Sequence, residues 1–477
     1  AGTLTAGDLN ITSGTVTATT NNPTINLSGN LALSSGVTYT KGSGTTTFSP
    51  SGTKTWTDST AGGQDFGAVS IASGSSTPKI SLGSSIIVTS ISIASAHTLD
   101  ANGANTITLT SGGTPFTVSG TFTPSTSTVV YSGANAGGNT TVAGVTYNNL
   151  QVTGADTYDL GADTTSSGVT TIGADATLDA KTYTLTLSGS SGTPIVKTGA
   201  FTPSTSTVVY SGNNSGGNTN VLAIPYYNLT IDNASETYDA GSGELTVNNN
   251  LVVNAGSLDL NVNDPVTTVV GNITIGGTLV ASATASLTVD GNWTNNGTFT
   301  NSNGTVIFAS SGVIPTASQV TGSQITTFRN LTITTPGKEI QFKQSQKVGV
   351  AGVFTVAGST LLPVKLRSIS DGVQWLLHLT GTTDFSHGNV KDGGCFTGSL
   401  NTTASQSFID FGNNSSCWQF LNFGIVQLIA PGDGSGGGTP TGGGTNQGGD
   451  TGGGAGDGGG NATGGGTNPG GDTEPSP

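Results

Sequence analysis

A ten-residue string, FTPSTSTVVY, occupies residues 122–131 and recurs unchanged at residues 201–210, an offset of 79. Downstream of each copy an aromatic leads into a short apolar run: Tyr147 before NNLQV, Tyr226 before YNLTI. Looser versions stand at Phe66 before GAVSI and at Phe328 before RNLTI. Repetition on this scale implies stacked units rather than one globular core.

A finer rhythm lies inside the long one. Between residues 245 and 308, short apolar runs begin at Leu245, Leu251, Leu258, Val269, Ile273, Leu279, Leu287, Trp293, Phe299 and Val306, mostly with Gly or Asn between them. Each run is too short for a helix, and several alternate apolar with polar, as a strand with one buried face does. Three steps make about twenty residues, as from Ile273 to Trp293, and four such coils match the long repeat. The expected fold is therefore all-β: a parallel β-helix, or β-solenoid, with about 20 residues and three short strands per coil. Some 21 coils spaced by about 4.8 Å would make a body roughly 100 Å long. Tandem β-sandwiches of about eighty residues are the competitor, and they call for hairpin signals at wider spacing.

Composition agrees. Charged residues are 8% of the chain, against about 25% in ordinary domains, and Thr, Ser, Asn and Gly take their place. Net charge is −14, from 26 acidic and 12 basic residues. That balance argues against nucleic acid or an anionic membrane as partner. No apolar run reaches the length of a membrane span. The sequence starts Ala1-Gly2-Thr3 and contains no Met, as expected after removal of a signal peptide; an engineered start is the alternative. In an exported protein Cys395 and Cys417, the only two cysteines, are expected to form a disulfide.

Three segments follow from this walk: solenoid repeats over 1–367, last coils and a C-terminal cap over 368–431, and a Gly-rich tail over 432–477. Gly supplies 22 of the last 46 residues, a composition that cannot bury a core and predicts a disordered or extended linker. Residues 338–367 carry five of the twelve basic residues: Lys338, Lys343, Lys347, Lys365 and Arg367.

The string GNWTNNGTFTNSNGTVIF at 291–308, followed by FRNLTI at 328–333, resembles repeats of large bacterial cell-surface and adhesin-like proteins. So do TIGADATLDAKTYTLTLSG at 171–189 and LTGTTDFSHGNVKDGG at 379–394. The resemblance covers residues 1–425 and implies a right-handed parallel β-helix, loosely similar to autotransporter and filamentous-hemagglutinin passengers. It implies a secreted, extracellular location at the cell surface. The function expected is that of a structural or adhesive rod that assembles into a fibre or surface layer. Copies of itself, neighbouring surface proteins and glycans are the partners expected. A carbohydrate-binding or polysaccharide-degrading β-helix is the alternative.

No catalytic residue is assigned and no cofactor is required. Asp156, Asp159, Asp163, Asp175 and Asp179 fall within about one coil and, if stacked, would offer oxygen ligands to Ca²⁺; turn and solvent-face aspartates are the plainer reading. Tyr158-Asp159 recurs as Tyr238-Asp239, which points to structure, since a catalytic site should occur once. The non-repeating candidates are His378, Asp384, His387, Lys391 and Asp392, whose spacing matches no defined motif. NxS/T sequons stand at Asn228, Asn292, Asn296 and Asn330. The repeat aromatics Phe66, Tyr147, Tyr226 and Phe328 are expected to stack inside the coils.

Overall fold

Alternation decides which way each side chain faces. In Thr128–Tyr131, Val129 and Tyr131 are buried while Thr128 and Val130 turn outward; Thr24–Leu27, Thr106–Leu109 and Ser286–Val289 repeat that pattern. A computed structural model describes residues 2–72, 78–399, 402–405 and 407–420. Among them there are strands and turns and no helix. The strands pair in parallel with those of the next coil, and about 18 turns stack, about 22 residues apart. The protein is a β-solenoid. At about 4.8 Å per turn the stack is roughly 85 Å long.

The longest ladder passes through 13 strands, from Thr146–Tyr147 to Phe408–Asp410. Beside it in the later coils run a seven-stranded ladder, Glu244–Val247 to Thr382–Ser386, and a four-stranded one, Thr326–Phe328 to Gly393–Cys395. Two six-stranded ladders start at Thr3–Ala6 and Leu9–Ile11. Inward side chains line up in columns: Leu229, Leu251, Ile273, Trp293, Val320 and Phe342 succeed one another in register, all buried.

The period is longer, and the turns fewer, than the sequence rhythm suggests. Register partners lie 20 residues apart at Ile273 and Trp293, 18 at Thr140 and Tyr158, but 27 at Trp293 and Val320 and 29 at Lys347 and Leu376. The extra residues sit at corners, as at 309–317 and 369–374. A ladder constrains only the residues that pair, so corners absorb insertions without disturbing the register.

Corners are also where coils are tied together. Asn250 Oδ1 accepts from the backbone N and the Nδ2 of Asn272, both at 3.0 Å. Asn272 Oδ1 accepts from Asn292 N at 2.8 Å, and Asn292 Oδ1 from Gln319 N at 2.8 Å. One coil thus satisfies amides at and beside the turns of the next.

At the far end, Trp418 covers the core beside Trp375 (5.8 Å between ring centroids) and Phe385 (6.0 Å). The Cys395–Cys417 disulfide forms as expected, with Cα atoms 6.3 Å apart. Residues Ala1–Phe423 make one compact unit. The expected tail at 432–477, and the end of the 368–431 segment, lie outside the described residues.

Candidate functional site

All four repeat aromatics are inside. Phe66 packs against Trp56 (5.0 Å) and Tyr39 (5.5 Å), and Phe328 against Trp293 (5.4 Å) and Phe299 (5.8 Å). Tyr147 and Tyr226 are fully buried and each meets a second tyrosine, Tyr131 or Tyr210, with hydroxyls 2.8 Å apart. The Leu222 N–H donates to Tyr210 (3.3 Å), and Tyr226 donates to Leu222 O (2.8 Å). The one remaining phenol proton, on Tyr210, closes the ring toward Tyr226. Ala143 plays the part of Leu222 in the other copy. Burial holds these phenols above their ordinary range, Tyr210 at about 12. Their chemistry is structural.

The aspartates do stack, but cations and amides occupy them. Asp159 and Asp179 are register partners, and Lys181 Nζ reaches both, at 3.0 and 3.3 Å. Asp156 accepts from Thr140 Oγ1 (2.5 Å) and Asn135 N (3.1 Å), and Asp163 from Thr184 N (2.8 Å). Asp175 sits in a left-handed turn with φ 64°. Among the described residues no group of three or more His, Cys, Asp or Glu is placed to hold a metal ion. In the next repeat Asn218 donates to Asp239 (3.0 Å) as Asn139 does to Asp159 (3.0 Å).

The non-repeating candidates are not brought together. His378 belongs to Trp375–Leu379 in the four-stranded ladder, while Asp384 lies exposed on Thr382–Ser386 in the seven-stranded one. Lys391 and Asp392 follow Gly388–Val390 in the longest ladder. Lys391 pairs with Asp371. Asp392 is buried and accepts from Gly372 N (3.1 Å) and Asn413 Nδ2 (2.6 Å). His387, at φ 46°, donates its backbone N–H to Ser407 (3.0 Å). Three of these residues therefore hold the last coils together. The sequon asparagines do the same: Asn228, Asn292, Asn296 and Asn330 each accept a backbone N–H from the next coil through Oδ1, at 2.8–3.3 Å.

One arrangement on the surface does bear on recognition. On the outer side of the four-stranded ladder, Lys347 Nζ lies 4.5 Å from the centre of the Phe396 ring. The His378 imidazole meets the same ring edge-on at 5.5 Å. Phe396 is 40% exposed. Neither Lys347 nor His378 has a carboxylate partner among the described residues. Desolvation, then Lys347, lower the His378 pKa. Sequence reasoning singled out His378 and Lys347 for other reasons and missed Phe396. Only the register places Gly349 beside His378 and Lys347 beside Leu376.

No protein family, curated protein or solved structure matches the chain. Its fold defines its class: a β-solenoid repeat protein with one disulfide. Among the described residues no helix is long and apolar enough to cross a membrane.

Proposed function

We propose that this chain is an extracellular structural and adhesive protein of the cell surface, a rigid rod that presents its faces to partners or stacks with copies of itself into a fibre or layer. The observation that carries this reading is the parallel register held through about 18 turns. Asparagine side chains reinforce it at the corners, and a disulfide closes it. In such a stack, stability sums over nearest-neighbour interfaces, so length adds rigidity. A disulfide fits an oxidising compartment, as export requires. The outer faces are long and regular: Thr246, Thr268 and Thr288 succeed one another in register, as do Thr332 and Thr355.

Electron microscopy of native material, combined with a membrane-impermeant label on intact source cells, tests the proposal. Rods about 85 Å long, or fibres with an axial repeat built from them, labelled without lysis, are expected. Labelling only after lysis would remove the surface reading, and compact particles would remove the rod. The second reading, carbohydrate recognition, is favoured by the Lys347–His378–Phe396 face and requires no bond cleavage.

A further inference from the structure

We propose that the outer face of the ladder formed by Thr326–Phe328, Lys347–Val350, Trp375–Leu379 and Gly393–Cys395 binds an acidic linear glycan, with a sugar ring on Phe396 and its carboxylate against Lys347 and His378. The inference rests on the carbohydrate-recognition reading and gives it a ligand class.

Charge distribution is the first support. Residues 1–328 hold five Lys and Arg against 16 Asp and Glu, whereas residues 329–420 hold seven against five. The later coils are the basic part of an acidic chain. Most of their cations are already committed. Lys365 faces Glu339 at 3.9 Å, Lys391 pairs with Asp371, Lys343 donates to Gly322 O at 2.8 Å, and Lys338 is buried on Asp290 O at 2.8 Å. Lys347 instead rests on an aromatic face, a contact that supplies no counter-charge.

Geometry is the second. Phe396 follows the disulfide-linked Cys395, and its backbone N–H donates to Leu377 O at 2.8 Å. The ring is therefore held in place before any ligand arrives, which lowers the ordering cost of binding. Thr327, Gly349 and His378 stack in register beneath it, so the groups lie along the axis in steps of one coil. A linear polymer laid along the axis would meet a hydroxyl, an ammonium, an imidazole and an aromatic face. A ring with one apolar side and one carboxylate uses all of these. A neutral sugar leaves the ammonium unpaired, and an inorganic anion leaves the exposed ring unused.

The groups that face His378 carry no negative charge. Lys347 lies on the strand one coil below, Leu376 on its own strand, and Phe396 and Gly394 on the chain one coil above. Acidification therefore adds a second positive charge to this face without forming an internal ion pair.

The test is titration of the full, disulfide-bonded chain with oligogalacturonate, and with neutral dextran oligomers of the same length, at low and moderate salt. Oligogalacturonate should bind, more weakly as salt rises and more tightly at pH 5 than at pH 8; dextran should not. Lys347→Gln and Phe396→Ala should each weaken binding by about tenfold, with thermal unfolding unchanged. Lys197→Gln, the same charge change at an exposed residue on another ladder, should leave affinity as it was. His378→Gln should abolish the pH dependence. No binding by the parent chain, equal binding of dextran, or an equal loss in Lys197→Gln would overturn the proposal. Failure here leaves the rod and its location standing, whereas labelling only after lysis would remove the surface reading and leave this site intact.

Discussion

A phenol hydroxyl inside an apolar core must be answered by another polar group, because stranding it costs about 1–3 kcal/mol. This chain answers it twice with the same device, a tyrosine pair that takes the N–H and the C=O of one corner residue, Ala143 or Leu222. Tyr226→Phe should therefore cost about 1–3 kcal/mol, since it leaves the buried Tyr210 proton unpaired and Leu222 O with the Ile224 N–H alone, while filling nearly the same volume. Tyr226→Ala should cost about 3–5 kcal/mol through the cavity it leaves. Denaturant unfolding of the two variants separates these terms. The pairs also set an alkaline limit. An unfolded tyrosine ionises near 10, while Tyr210 is held at about 12 by burial, with Tyr226 raised well above 10 as well. The folded chain then binds more protons than the unfolded one. Stability is full below pH 10 and is lost as pH rises through the folded values. Denaturation midpoints between pH 8 and 11.5 should fall only above pH 10, and the fall should be smaller in Tyr210→Phe/Tyr226→Phe than in the parent.

At the scale of the coil, corners decide how closely turns stack. A Cβ added to Gly297 would stand 2.1 Å from Gly277 O, and one on Gly277 would stand 2.4 Å from Gly256 O. Gly297→Ala should therefore push two coils apart at the backbone and cost about 1–3 kcal/mol or more. Faster hydrogen exchange confined to Thr298–Thr300 and its ladder neighbours would locate the damage. The final coil depends on its disulfide, which closes a separation of 22 residues. Its loss in Cys395→Ser/Cys417→Ser should cost about 3 kcal/mol on chain-entropy grounds. The damage should appear first as exchange at Trp418–Phe420, the strand that the disulfide pins. These elements differ in how far the sequence reveals them. Strand identity and burial are visible in two-residue alternation, and a chain with two cysteines has one disulfide to make. Coil length is visible only where corners are lean, as between 245 and 308. The recognition face is not visible at all, because Lys347 and Leu376 are neighbours across 29 residues. That distance includes a corner whose length no periodicity fixes, so Phe396 cannot be placed beside Lys347 without the register. His378, Asp384 and Lys391, close in sequence, fall on three different ladders for another reason: they stand on, or directly after, three successive strands of one coil.

At the scale of the molecule, a stack in which each coil touches only its neighbours should tolerate removal of a whole repeat and should not tolerate removal of part of one. The two copies make a clean test. Thr121–Thr123 lies on the Thr-Leu-Asp strand Thr98–Asp100, and Ala200–Thr202 lies on the Thr-Leu-Asp strand Thr177–Asp179. The turns that follow match too: Ser125 at φ 48° donates to Asp100, and Ser204 at φ 43° donates to Asp179. Deleting residues 122–200 joins Thr121 to Phe201, so Thr-Phe-Thr-Pro is restored and Ser204 arrives over Asp100. The shortened chain should fold with the parent's β-sheet spectrum and a rod shorter by about four turns, roughly 20 Å. Its unfolding temperature should fall only slightly, because every surviving interface has its native partner or a close copy. Deleting residues 122–181 removes 60 residues and sets Thr182 after Thr121, out of phase with the alternation. Each inward side chain near the junction is then misplaced, and that chain should aggregate or unfold well below the parent. Electron microscopy and thermal melts of the pair decide the matter. Equal behaviour of the two deletions would mean that the 79-residue repeat is a feature of sequence history alone and not the unit by which the rod is built.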